Sequence, residues 1–99
     1  MANINDLIYN ALVAMGYSGP IDAMRLARFL DEGAKSTNIN EAQREWLILK
    51  GAPPHLPINE MWAHVLRNNG YSGHISEMYY DFWAQGGTFG TAPSAFPVG

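Results

Sequence analysis

The tetrapeptide GYSG occurs twice in the sequence, first at Gly16-Tyr17-Ser18-Gly19 and again at Gly70-Tyr71-Ser72-Gly73. When the chain is aligned with itself at an offset of 54 residues, the separation of Gly16 and Gly70, positions 5–33 fall on 59–87. Identical residues then recur on both sides of the tetrapeptide, among them Leu12 with Leu66 and Met24 with Met78. The sequence therefore indicates an internal duplication.

A shorter repeat runs beneath this duplication, in which an isoleucine is followed twelve residues later by a glycine. The pairs are Ile4 and Gly16, Ile21 and Gly33, Ile39 and Gly51, Ile58 and Gly70, and Ile75 and Gly87. A first-turn signal, about three amphipathic turns and a closing glycine are typical of a short helix. The spacing predicts five helices, at 4–15, 21–32, 39–50, 58–69 and 75–85.

Residue types inside each unit predict how the helices begin and which face is buried. Asn3 and Asn38 are predicted N-caps, and Pro20 and Pro57 precede the second and fourth helices. Positions three and eight residues after each isoleucine are apolar and fall on one helical face. Seven residues after the isoleucine, four units carry Ala11, Trp46, Val65 or Phe82, but the second carries Arg28. Because of its charge, we expect Arg28 to face water.

The sequence predicts an all-α fold with a helical repeat domain over residues 1–87. This domain comprises a hairpin at 4–33, a bridging helix at 39–50 and a second hairpin at 58–87, with each GYSG as the turn of a hairpin. Residues 88–99 carry no charge and no helical period, which predicts an extended tail. Whether the helices close into one bundle or form a short solenoid stays open at this point.

Composition restricts the classes of function. The chain has 99 residues, no cysteine and a formal charge of −3, and its six basic residues are scattered along its length. This balance gives no electrostatic footprint for nucleic acid, and no apolar run has the length of a membrane span. Aromatic residues, including three tryptophans, are abundant and suit both a small core and an interface.

No residue pattern points to catalysis, to a metal site or to a cofactor. His55, His64 and His74 have no second ligand one helical turn away, and the serines fall in predicted turns, caps and the tail. The acidic residues near the predicted helix starts are explained by the positive end of the helix dipole. We therefore expect a protein that is not an enzyme and that binds no cofactor.

The phrases GYSGPIDAM and GYSGHISEMYYDFWAQGG resemble helical repeats found in structural proteins of tailed bacteriophages. The resemblance implies a virion protein, made in the host cytoplasm and present in many copies, that contacts capsid, connector, tail or fibre proteins. In those repeats serine often precedes the isoleucine, whereas Pro20 and His74 stand there in this chain.

On this interpretation the tail anchors the helical body to a neighbouring protein. The candidate partner-binding residues are Thr88, Phe89, Pro93, Phe96, Pro97 and Val98 in the tail, with Tyr79 and Tyr80 on the last helix. The alternative is a small helix-turn-helix regulator or adaptor that binds DNA or protein. Its recognition helix would offer only Arg25 and Arg28 against nearby acidic residues, so nucleic acid is not the expected partner.

Overall fold

The computed structural model describes residues 3–89, which form five α-helices. They are α1 (Ile4–Ala14), α2 (Ile21–Asp31), α3 (Ile39–Leu49), α4 (Ile58–Asn68) and α5 (Ile75–Ala84). No strand occurs in this range, so the predicted all-α class is confirmed. Every helix begins at the predicted isoleucine and ends one residue before the predicted boundary.

Each helix is closed by a glycine in the left-handed region of the backbone. Gly16 has a φ of 102°, its N–H donates to the Val13 carbonyl, and the Tyr17 N–H donates to the Leu12 carbonyl. These two bonds satisfy carbonyls that the helix leaves unpaired, as in a Schellman motif. The same pair of bonds recurs at the other four helix ends.

The fifth helix departs from the predicted spacing by one residue. It is one residue shorter than the others, so its closing glycine is Gly86 and not the predicted Gly87. Gly87 is still required, because a Cβ atom there would lie 2.5 Å from the buried ring of Trp83. Gly86 therefore ends the helix, and Gly87 allows the backbone to approach the Trp83 ring closely.

Helix starts follow the predicted caps, with one addition. The Asn3 side chain accepts a hydrogen bond from the Asn5 N–H, and Asn38 accepts from the N–H groups of Asn40 and Glu41. His74 caps α5, because its Nδ1 accepts from the Ser76 N–H at 3.2 Å. The Glu77 carboxylate accepts in turn from the His74 N–H at 3.0 Å.

The helices form a closed ring. Each helix packs against its neighbour in the chain, α5 also packs against α1, and no other pair of these five helices has backbones in contact. The open choice between a bundle and a solenoid is therefore decided in favour of closure. Within residues 3–89, no helix has the length and apolarity needed to cross a membrane.

Two pairs of neighbouring helices, α2 with α3 and α4 with α5, run in the same general direction. Arg25 contacts Gln43, Phe29 contacts Trp46 and Glu32 contacts Lys50, so residue numbers rise together along α2 and α3. The starts of α4 and α5 likewise line one groove. The predicted hairpins are therefore not confirmed, and the linker between α4 and α5 returns the chain to the end at which α4 begins.

The core fills the ring with large side chains. Its buried members include Leu12, Met24, Phe29, Ala42, Trp46, Leu47, Met61, Val65, Leu66, Met78, Phe82 and Trp83. The prediction that Arg28 faces water is wrong: only 2% of this residue is exposed. All five residues at the seventh position after the isoleucine are buried, so the position on the helix outweighs the charge.

Candidate functional site

The structure separates the predicted partner-binding residues. Phe89 packs on the chain's own rings, with its centroid 4.3 Å from that of Phe82 and 5.7 Å from that of Trp46. The ring is half-buried, so part of it stays exposed beside these neighbours. Thr88 is exposed beside it. Pro93, Phe96, Pro97 and Val98 lie outside the described residues.

Tyr79 and Tyr80 belong to different surfaces. Tyr79 is half-buried and meets the Trp62 ring edge-on, with a centroid distance of 4.9 Å. Tyr80 is also half-buried, but it lines a separate depression with Ser72, Glu77 and other polar residues. Tyr79 and Tyr80 thus line two depressions that meet at Ser76.

Tyr79 lies in a groove between α4 and α5 that was not predicted. Two depressions, of about 570 and 480 Å³, share Asn59, His74 and Ile75. The first extends towards His64 and Arg67, and the second towards an aromatic wall. The complete lining of the second is Gln43, Ile58, Asn59, Trp62, His74, Ile75, Ser76 and Tyr79.

The groove combines polar side chains with an aromatic wall. The Gln43 Oε1 atom accepts from both the Trp62 indole at 3.0 Å and Arg25 at 3.2 Å, which fixes the amide on the aromatic wall. His74 is held by its capping bonds. Among residues 3–89 there is no cluster of three or more histidine, cysteine or acidic side chains that could hold a metal ion.

Exposed apolar side chains form a second candidate surface at the ends of α2 and α3. We call it the α2–α3 patch; it consists of Leu30, Ile48 and Leu49, which are 37%, 40% and 59% exposed. Leu49 lies over the helix end at Gly33, since a Cβ atom there would be 2.9 Å from its Cδ1 atom. Tyr9 and Val13, one turn apart on α1, are a smaller exposed pair.

The two GYSG turns place their tyrosines alike. The Tyr17 hydroxyl donates to Asp31 at 2.7 Å, and the Tyr71 hydroxyl, 54 residues later, contacts Gln85 at 3.4 Å. Each ring thus reaches the end of the helix that follows its turn. Burial, followed by the bond to Asp31, raises the pKa of Tyr17 to about 12. Ser18, Gly19, Ser72 and Gly73 are exposed in these turns.

Sequence reasoning missed the groove and the α2–α3 patch for different reasons. The groove depends on how α4 and α5 pack, and no local pattern specifies that packing. For the patch a signal existed: Ile48 and Leu49 follow the buried Leu47, and three successive residues cannot share one face of a helix. At least one of the three side chains therefore had to face outwards.

No protein-family model, curated protein or solved structure matches this chain.

Proposed function

We propose that this protein is a structural component of a tailed-bacteriophage virion that acts by binding neighbouring proteins in the particle. The particle is suggested by the resemblance of the two GYSG repeats. The mode of action is supported by one observation, the α2–α3 patch. Its three large apolar side chains are exposed, whereas the other large apolar side chains of residues 3–89, apart from Tyr9 and Val13, are buried or half-buried. Exposed apolar groups of this kind favour burial against a protein partner.

The closed ring suits such a role. Schellman bonds fix each of the five helix ends, and the aromatic core links α2, α3, α4 and α5. A body held in this way presents its outer residues in fixed positions, which lowers the entropy lost when a contact forms. Arg28, on which the DNA-binding alternative partly depended, is buried, and Arg25 is engaged by Asp22 and Gln43.

The test replaces Ile48 and Leu49 by serine in the full chain. Because both side chains are exposed, we expect helical content and thermal stability to change little, while incorporation into particles falls at least about tenfold. The matched control replaces Tyr9 and Val13, the other exposed pair. Unchanged incorporation of the Ile48 and Leu49 variant would reject the α2–α3 patch as the contact.

The predicted tail anchor needs a separate variant. Truncation after Phe89 removes residues 90–99 and keeps the ring that packs on Phe82 and Trp46. The anchor prediction expects a folded helical domain that no longer joins particles. Normal incorporation of this truncated chain would reject the anchor and leave the α2–α3 patch as the contact to explain.

A further inference from the structure

Arg28 is the single charged residue within 3–89 that is buried. Its Cζ atom is 5.0 Å from the ring centroid of Trp46 on α3 and 5.7 Å from that of Trp83 on α5. The side chain therefore reaches from α2 across to α5, although these two helices have no backbone contact. Aromatic faces stabilise a cation at such distances.

The hydrogen bonds of Arg28 are incomplete. Its Nε donates to the Glu32 Oε2 atom at 3.3 Å, but its Nη1 is buried without a hydrogen-bond acceptor. Aromatic faces are weaker acceptors than oxygen atoms, so the two tryptophans do not replace the missing partner. Leaving a buried charged donor unpaired is unfavourable, and such a group favours an oxygen ligand.

Glu32 does not supply that ligand, because its Oε2 atom accepts from Arg28 Nε and neither of its oxygens lies within hydrogen-bond distance of Nη1. Its Oε1 accepts from the Trp46 indole at 2.8 Å and from Lys50 at 3.1 Å, and its Oε2 accepts from Arg28. Burial raises the pKa of Glu32, but these bonds and the two nearby cations lower it further, to a net value below the ordinary one. The cluster therefore holds two positive charges and one negative charge.

A cavity of about 430 Å³ adjoins this cluster. It is lined by Arg28, Glu32, Lys50, Thr88 and Phe89. Its charged lining has one excess positive charge, and Phe89 adds an apolar wall. A ligand that suits this lining carries one negative charge on oxygen atoms and a short apolar arm. A phosphate group, with a larger charge and no arm, is less suited to a cavity that already contains Glu32.

We propose that this cavity binds a carboxylate, supplied by an acidic side chain of a partner protein. The carboxylate accepts from Lys50, and it accepts from Arg28 Nη1 once the guanidinium, whose Nη1 is closed to solvent in the structure, turns towards the cavity. The methylene groups of the side chain pack on Phe89. Charge-assisted bonds from a guanidinium to a carboxylate are among the stronger hydrogen bonds in proteins. The choice of a protein as the source rests on the proposed function, in which the chain acts by protein contact.

Propionate is the probe, because it reproduces the end of a glutamate side chain, and propionamide is its neutral isostere. In the purified full chain, we expect propionate to give saturable NMR shifts of the Trp46 and Trp83 indole N–H resonances. The indole of Trp62, bonded to Gln43, is the internal control. The absence of a saturable shift, or equal shifts with propionamide, would overturn the proposal.

A pair of lysine variants locates the binding. Lys50→Met removes one cation of the cavity, and we expect about tenfold weaker propionate binding, the loss of one charge-assisted bond. Lys35→Met, in the exposed linker after α2, is the matched control and should bind as the wild type does. If both variants weaken propionate binding equally, binding depends only on the net charge of the protein. This result would reject the site.

The outcomes separate this site from the proposed function. Propionate binding is measured on the isolated chain, whereas the α2–α3 patch is tested by incorporation into particles. Saturable binding with undiminished incorporation of the patch variant would retain the carboxylate site and reject the patch as the contact. Loss of incorporation of the patch variant, with no propionate binding to the wild-type chain, would retain the patch as the contact and reject the carboxylate site.

Discussion

The helices α2 and α5 each follow a GYSG turn, yet they fill the centre of the ring with different chemistry. Arg28 on α2 and Phe82 on α5 stand 54 residues apart, at the same position of the repeat, and both are buried. Phe82 packs among Trp62, Trp83 and Phe89, while the guanidinium of Arg28 lies over two indole rings. The position in the repeat thus decides burial, and the surrounding rings decide whether a cation is tolerated.

Removing the ring of Phe82 tests the apolar side of this comparison and should have the largest effect. Phe82→Ala leaves a cavity among rigid rings, so we expect a loss of about 3–5 kcal/mol in the free energy of unfolding. Urea unfolding of the full chain measures it. Tyr9→Ala, on the exposed face of α1, is the control and should change stability little. A loss under about 1 kcal/mol for Phe82→Ala would mean that the ring is not central.

Two substitutions of Arg28 test the cationic side. Arg28→Ala leaves a cavity and removes one partner of Glu32, and we expect it to cost about 3 kcal/mol. Arg28→Met fills the same space, and because Glu32 keeps Trp46 and Lys50, we expect stability within about 1 kcal/mol of the wild type. Equal losses in the two variants would show that the charge of Arg28, and not its volume, holds the ring together.

Low pH should lower the stability of the protein through the carboxylate of Glu32 at the end of α2. The equivalent position of the repeat after α5 has no acidic residue. The pKa of Glu32 is lower in the folded chain than the ordinary 4.5, so the unfolded chain binds the proton more readily. The stability contributed by the ionised carboxylate is present above pH 4.5 and is lost as pH falls through the folded value. Glu32→Gln should therefore flatten the acid side of the stability profile, measured by thermal unfolding. Parallel profiles for variant and wild type would contradict this assignment.

The smallest effect compares the two turn tyrosines at alkaline pH. The pKa of Tyr17 is about 12, so the stability that its neutral hydroxyl contributes is present below pH 10 and is lost as pH rises from 10 to 12. Burial also raises the pKa of Tyr71, which lacks a carboxylate partner as close as Asp31. We expect Tyr17→Phe to reduce alkaline unfolding more than Tyr71→Phe does. The opposite order would place the stronger carboxylate contact at the second turn.

Helix positions were predictable from the sequence because their signals are local. The isoleucines, Asn3, Asn38 and the closing glycines act within one or two helical turns. The structure confirms them, except that Gly86 and not Gly87 closes α5. The closure of α1 on α5 was not predictable, because it depends on contacts between the two ends of the domain. The position of Phe89 was missed for the same reason, since the rings that receive it come from three different helices.

Arg28 was mispredicted for a different reason. The repeat indicated a buried position, because the four equivalent residues are apolar, whereas the charge indicated water. Burial of the guanidinium is tolerated because it contacts Trp46, Trp83 and Glu32. The two tryptophans come from other helices, and Glu32 lies at the end of α2. Neither this cluster nor the cavity beside it could be predicted from the sequence, because both form only when the helices pack into the closed ring.

The exchange rate of the Arg28 Nε–H proton with water, measured by NMR in the full chain at neutral pH, tests the burial of this side chain most directly. Arg67 on the exposed end of α4 is the reference in the same sample. A guanidinium held between two indoles and bonded to Glu32 should exchange at least about tenfold more slowly than that of Arg67. Equal exchange rates of the two protons would show that Arg28 is exposed to water. This result would contradict the conclusion that the position in the repeat determines which residues form the core.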